Sequence, residues 1–147
     1  MSTILEWSPQ FELGLGTMDE QHHLQVELIN ALRVCMGQCI GREELGQLLS
    51  SLEQHTEAHF LEEEQLMAQM RYPGLDEHRA NHQAFARRVR DTHRRHREGE
   101  LIEFSTLRLI QGWLVEHLER ADRDFGHFAA DAERPRGGIA RWLRRFG

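Results

Sequence analysis

Apolar residues recur every three or four positions along four long stretches of the chain, which is the spacing of amphipathic α-helices. The first stretch begins at Thr17-Met18-Asp19-Glu20, which fits a capping box and predicts a helix start just before His22. Gly37 and Gly41 end it. Residues 1–16, rich in aromatic residues and glycine, are expected to form an extended arm that packs on the rest. The inward positions of this first helix are Val26, Ile29 and Leu32.

The next three stretches predict helices over about 42–70, 76–98 and 102–130. Tyr72-Pro73-Gly74 separates the second from the third, because proline cannot continue the helical hydrogen-bond ladder. Gly99 ends the third. The inward stripes are Leu45, Leu48, Leu52, His59, Glu63, Leu66 and Met70, then His78, His82, Phe85 and Val89, then Leu107, Ile110, Leu114, His117 and Ala121.

Four long helices joined by short connections, with no strand pattern, predict an all-α, up-down-up-down four-helix bundle. We expect one bundle domain over 1–133, followed by a basic amphipathic tail over 134–147 that forms a short helix. Three roles are open for this tail: docking on the bundle, contact with a partner or membrane surface, or contact with the acidic first half of the chain.

Composition narrows the class of protein. The chain has 147 residues, 39% of them hydrophobic, and a net charge of -6, which argues against nucleic acid as the main partner. All apolar runs are short, and the first residues lack the pattern of a signal peptide, so a cytoplasmic protein is expected. Cys35 and Cys39, four residues apart on one helix, are interpreted as buried small residues, with a redox-sensing pair as the alternative.

The chain holds ten histidines, and histidine is the commonest metal ligand in proteins. His59 and Glu63 are four residues apart, as are His78 and His82, and a step of four advances about 400° around a helix, so each pair shares a face. His117 and Asp122 are five apart, which in an α-helix turns the carboxylate about 140° sideways.

With His22 on the first helix, every helix then offers a metal ligand on its inward stripe. Each motif alone is more often a solvated surface or a satisfied core residue. Together they would bury several ionisable groups at a cost of roughly a few kcal/mol each unless a metal compensates. The set of five imidazoles and two carboxylates suits two ions, and favours iron over manganese or zinc.

The order His, HxxxE, HxxxH and HxxxxD resembles the hemerythrin family, in its bacterial single-domain form. The resemblance rests on Asp19-Glu20-Gln21-His22, the segment from His59 to Glu63, Tyr72-Pro73, the pair His78 and His82, and Trp113-Leu114 before His117; Trp7 in the arm matches too. Proteins of this family fold as up-down-up-down bundles, so the predicted topology is not independent of the resemblance.

This resemblance implies two non-haem iron ions (Fe2+/Fe3+) joined by an oxo or hydroxo bridge. One iron would be held by His78, His82 and His117, and the other by His22 and His59. Glu63 and Asp122 would bridge both irons. O2 would bind reversibly at the iron with two histidines, in a pocket lined by Trp113 and Leu114, for which core packing is the alternative.

The five other histidines are not assigned to the metal. The HxxxE spacing selects His59 over His55, and the resemblance selects His22 over His23. His93, His96 and His127 are expected to be solvated.

Oxygen storage, delivery to an oxygen-consuming enzyme, or sensing is the leading functional hypothesis. A di-iron oxidase, peroxidase or nitric-oxide-handling enzyme is the alternative; ferritin-like enzymes use paired ExxH motifs, and this chain has one, from Glu20 to His23. A metal-free interaction bundle is the third class.

Overall fold

A computed structural model of the chain describes residues 5–38 and 41–133. Within these ranges it contains helices and no strand, which confirms the all-α prediction. The predicted basic tail over 134–147 and Cys39 lie outside them. The helices are α1 (Gly16–Gly37), α2 (Arg42–Gln69), α3 (Leu75–Arg97), α4 (Phe104–His117), a π-helical segment (Leu118–Asp122) and α5 (Arg123–Glu133).

The start of α1 differs from the predicted capping box. The helix begins at Gly16, so Thr17 lies inside it, and no side chain caps its first turn. The Asp19 carboxylate instead accepts hydrogen bonds from the backbone N–H groups of Leu13 (2.7 Å) and Gly14 (3.1 Å). Asp19 therefore holds the preceding segment against α1 rather than starting the helix.

The described part of the N-terminal segment is not fully extended. A single turn of 3-10 helix, Pro9–Phe11, interrupts it and places Phe11 in the core with 3% of its surface exposed. Nearer the N-terminus, the backbone of Leu5 exchanges two hydrogen bonds of 2.8 Å with the side chain of Asn30 on α1. This part of the segment thus packs on the bundle through one apolar anchor and one polar clamp.

The fourth predicted helix is present, but its hydrogen-bond pattern changes in the middle. Between α4 and α5, Leu118–Asp122 form a π-helix, while the backbone angles stay helical on both sides of it. A π-helix closes i→i+5 hydrogen bonds, so five residues make about one turn. The apolar periodicity did not predict this segment, because it occupies less than two turns of an otherwise regular helix.

The bundle closes through contacts between sequential helices and between α1 and α4. Arg71, in the left-handed region at φ 55°, and Gly99, at φ 94°, reverse the chain at the two ends of α3. On α2 the fully buried side chains include Leu49 and Met67, whereas Leu66 is half-buried, so the predicted stripe is rotated slightly. Within the described ranges, no helix combines the length and apolar character needed to cross a membrane.

Candidate metal centre

All seven predicted ligands lie together in the interior of the bundle, each with 6% or less of its surface exposed. Their donor atoms form two groups that share Glu63, and the atoms of each group lie within 4.8 Å of one another. The larger group is Glu63, His78, His82, His117 and Asp122, and the smaller is His22, His59 and Glu63. Each of the four predicted helices supplies at least one of them, Asp122 coming from the π-helical segment that continues α4.

Glu63 divides its two oxygens between two sets of histidines. Oε1 lies 2.6 Å from Nε2 of His78 and 3.2 Å from Nε2 of His82. Oε2 lies 3.2 Å from Nε2 of His22 and 3.4 Å from Nε2 of His59. A carboxylate placed in this way can give one oxygen to each of two neighbouring ions.

Asp122 shows the same division. Its Oδ1 lies 3.1 Å from Nε2 of both His78 and His117, and its Oδ2 lies 3.2 Å from Nε2 of His22. The expected sideways swing of Asp122 from His117 is wrong, because the π-helical segment makes the five-residue step about one full turn. Asp122 therefore stacks beneath His117, and its oxygens reach both sets.

The chemistry of these atoms fits metal ions. Nε2 of His82 and Nε2 of His117 face each other at 3.1 Å, and neither buried oxygen of Asp122 has a hydrogen-bond partner of acceptable geometry. Converging imidazole nitrogens and carboxylate oxygens without enough protons between them are what first-row divalent ions bind. The two groups therefore contain the kinds of donor atom that two such ions need.

The electrostatics of the two carboxylates favour their charged form. Burial alone would raise the pKa of Glu63, but hydrogen bonds from His22, His78 and His82 hold it well below its usual value. Burial and the neighbouring Glu63 also push the pKa of Asp122 upward, and His117 and His22 more than offset them. Both groups are thus anionic at neutral pH and available to cations.

The pKa values of four histidines differ according to whether each contacts both of those carboxylates, as His22 and His78 do, or only one. Burial lowers the pKa of His59 to about 3, and burial also lowers that of His117. Burial opposes protonation of His78 and His22 as well, but Asp122 and Glu63 raise both pKa values, that of His78 to about 9. A metal ion competes with protons for these nitrogen lone pairs.

Two ligands are oriented through their second ring nitrogen. Nδ1 of His59 lies 2.6 Å from Oε1 of Gln21, and Nδ1 of His82 lies 3.0 Å from Oε2 of Glu64. Arg79 Nε donates to the other oxygen of Glu64 at 2.9 Å. Such partners fix which nitrogen carries the proton and leave Nε2 free for a metal. The sequence did not identify them, although Gln21 and Glu64 directly adjoin predicted ligands.

Aromatic rings cover the centre on one side. Phe60 stacks on His82, with ring centroids 3.7 Å apart. Trp113 stacks on His117 at 4.5 Å and on Phe85 at 4.3 Å, and Leu114 is 1% exposed. Trp113 thus packs on His117, and Leu114 is buried in the core one turn before it. Phe60 was missed, although it directly follows His59.

The histidines outside the two donor groups have other contacts. His55 lies 2.9 Å from the backbone oxygen of Gln21, and His23 stacks on Trp7 at 3.6 Å. The expectation that His93 and His96 are solvated is wrong, since they are 9% and 6% exposed. His93 Nδ1 pairs with Glu53 at 2.5 Å, and His96 Nε2 lies 2.9 Å from the backbone oxygen of Arg42. They join α3 to α2 away from the centre; His127 is exposed, as expected.

Solvent reaches the edge of the centre through a cleft of about 430 Å³. His78 and His117 lie in its wall, and Trp113 and Tyr72 flank them. Both histidines belong to the larger donor group. The smaller group, around His22 and His59, is enclosed by the bundle.

Comparisons with known proteins agree with this arrangement. A family model described as the hemerythrin HHE cation binding domain matches residues 13–129. A bacteriohemerythrin of Stenotrophomonas maltophilia is 27% identical over 97% of both chains, and one of Methylococcus capsulatus is 26% identical over 84% of this chain and 95% of its own. The structure of a wild-type hemerythrin superposes with a TM-score of 0.78 at 26% identity, covering 84% of this chain and 96% of that one. The chain belongs to the hemerythrin family.

Proposed function

We propose that this protein binds O2 reversibly at a non-haem di-iron centre and stores oxygen or delivers it to an oxygen-consuming enzyme. The observation that carries the proposal is the position of the Glu63 and Asp122 carboxylates. Each places one oxygen near one set of histidines and its other oxygen near the other set. Membership of the hemerythrin family supports iron as the metal.

In this proposal His78, His82 and His117 hold one iron, and His22 and His59 hold the other. Glu63 and Asp122 would each offer one oxygen to either iron. When bound, the iron pair supplies the two electrons that O2 binding requires, by moving between the ferrous and ferric states. The position with two histidines has one protein ligand fewer, and an open coordination position distinguishes a reactive site from a structural one.

The protein's own residues limit the access of water and protons to this open coordination position. Phe60 and Trp113 stack on His82 and His117 of the neighbouring donor group and so place apolar surface beside the iron pair, and the enclosed His22–His59 side limits access of water. Excluding water and protons is what separates reversible binding from irreversible oxidation. The site also holds five imidazoles against two carboxylates, which differs from the carboxylate-rich ExxH sites of ferritin-like di-iron proteins.

The test is to prepare the protein anaerobically, count its iron, add O2 and then purge with inert gas. We expect two irons per chain and a visible absorption band that appears with O2 and disappears on purging. Irreversible oxidation with release of hydrogen peroxide would contradict a carrier and favour a di-iron oxidase or peroxidase.

Adjacent histidines provide a matched pair of variants. His22→Ala removes a side chain that is fully buried and 3.2 Å from both carboxylates, so we expect loss of iron and of the band. His23→Ala removes a ring stacked on Trp7 and should leave both unchanged. Equal iron content in the two variants would refute the ligand assignment.

A further inference from the structure

Away from the metal centre, the bundle buries a positive charge without an acidic partner. Arg33 on α1 is 6% exposed, and no carboxylate of the described residues lies within 4 Å of it. Its Nη1 donates to the neutral side chain of Gln111 on α4, and its buried Nε has no partner. Burying a guanidinium is costly unless an anion or a full set of acceptors compensates it.

Arg33 lies in the wall of a cleft of about 660 Å³ between α1 and α4. The cleft follows one face of α4, from Arg108 through Gly112 to Val115, and continues to Glu119 in the π-helical segment. A Cβ built on Gly112 would meet no atom within 4 Å, so the space in front of this residue is open and a large side chain there would project into the cleft. The space beside the guanidinium is therefore large enough for a small molecule.

The charges that line this cleft favour an anion. Arg120 is 3.7 Å from Glu116, and that pair is exposed. Arg108, which forms no ion pair with any described residue, adds a second uncompensated cation beside Arg33. The remaining acid, Glu119, is exposed, so solvent and salt screen its charge. Since Arg33 is the buried member, its charge is the least screened.

We propose that this cleft binds a small oxyanion, of the carboxylate, phosphate or sulfate class, on Arg33. A guanidinium presents N–H groups in a planar fork that matches two oxygens of one anion, which a lysine ammonium does not. Arg108 adds charge at the rim, and Gly112 provides the room. None of the seven proposed iron ligands lines the cleft, so the site is separate from the metal centre.

The test is calorimetric titration of the iron-loaded protein with sulfate, at ionic strength held constant by sodium chloride. Separate titrations with phosphate and with succinate distinguish which class of anion binds. We expect saturable binding of one sulfate per chain. Arg33→Gln should weaken it by roughly tenfold or more, because hydrogen bonds to a charged group are lost.

Three further variants separate a site from a general salt effect. Arg33→Lys keeps the charge without the planar fork and should bind weakly, and Gly112→Leu keeps Arg33 but fills the cleft and should block binding. Arg90→Gln removes an exposed arginine of α3 and should bind as the wild type does. If Arg33→Gln fails to fold, Gly112→Leu alone tests the proposal. Equal binding in wild type and Gly112→Leu, or no saturable binding of any of the three anions, would overturn it.

Discussion

Glu64 is expected to control how firmly one of the two irons is held, although it is not a proposed ligand. Its Oε2 lies 3.0 Å from Nδ1 of His82, and Arg79 holds its other oxygen at 2.9 Å. The carboxylate thus accepts the Nδ1 proton of His82 and keeps Nε2 directed at Glu63, 3.2 Å away. On the other side of the centre the neutral side chain of Gln21 does the same for His59.

The expected loss of iron affinity follows from the hydrogen bond between Glu64 and His82. Losing a hydrogen-bonded partner of a metal-bound histidine typically costs about 10- to 100-fold in metal affinity, or roughly 1.4–2.7 kcal/mol. Glu64 has 17% of its side chain exposed, so solvent screens part of its charge. We therefore expect Glu64→Gln, which keeps an acceptor, to cost about tenfold, and Glu64→Ala to approach about 100-fold.

The assay is the rate at which a ferrous chelator removes iron from the reduced protein. Wild type should release its iron slowly. Glu64→Gln and Glu64→Ala should show a faster phase that accounts for one of the two irons, because His82 belongs to one of the proposed sites. Far-ultraviolet circular dichroism, measured before chelation, checks that the helices are retained.

Glu57→Gln is the matched control, because Glu57 is an exposed residue of the same helix. It should release iron as wild type does. If both Glu64 variants release iron at the wild-type rate, then His82 does not need its Nδ1 partner, and the reasoning fails. Faster release from Glu57→Gln as well would indicate a general effect of surface charge.

His117→Ala should lose iron, whereas His96→Ala should keep it. His96→Ala should instead lower the free energy of unfolding, measured by urea denaturation, by about 1–3 kcal/mol, because it removes the contact of His96 with the backbone oxygen of Arg42. Asp19→Ala should also destabilise the fold by about 1–3 kcal/mol, since it leaves the N–H groups of Leu13 and Gly14 without an acceptor, and chemical denaturation measures this. Removing the iron with a chelator should lower the melting temperature in calorimetry, because binding to the folded state stabilises it; an unchanged melting temperature would contradict an interior metal site.

The four helices and the pairs His59–Glu63 and His78–His82 could be predicted from spacing along single helices, whereas the full set of seven proposed ligands came from the resemblance to a known family. A step of four residues places His59 above Glu63 in any α-helix, whatever the rest of the chain does. The predicted capping box at Thr17 failed for the opposite reason. The helix begins at Gly16, so Thr17 lies inside it, and the contact of the Asp19 carboxylate with Leu13 and Gly14 depends on how the preceding segment packs.

Burial of polar groups away from the centre also could not be predicted. His93 and His96 occur in an arginine-rich run, which is typical of a solvated face, yet they pack against α2. The burial of Arg33 could not be predicted either, since nothing in the sequence indicates that its guanidinium turns toward α4. Both results depend on how helices are rotated about their own axes, which periodicity fixes only approximately.

The sequence by itself determined four amphipathic helices and most of the apolar stripe on each, because helical periodicity is a local property. Only the tertiary structure decided that Glu63 and Asp122 each divide their oxygens between two histidine sets, because that depends on the distances between four helices. It also decided that a π-helical turn brings Asp122 beneath His117, because this hydrogen-bond shift leaves the apolar pattern almost unchanged.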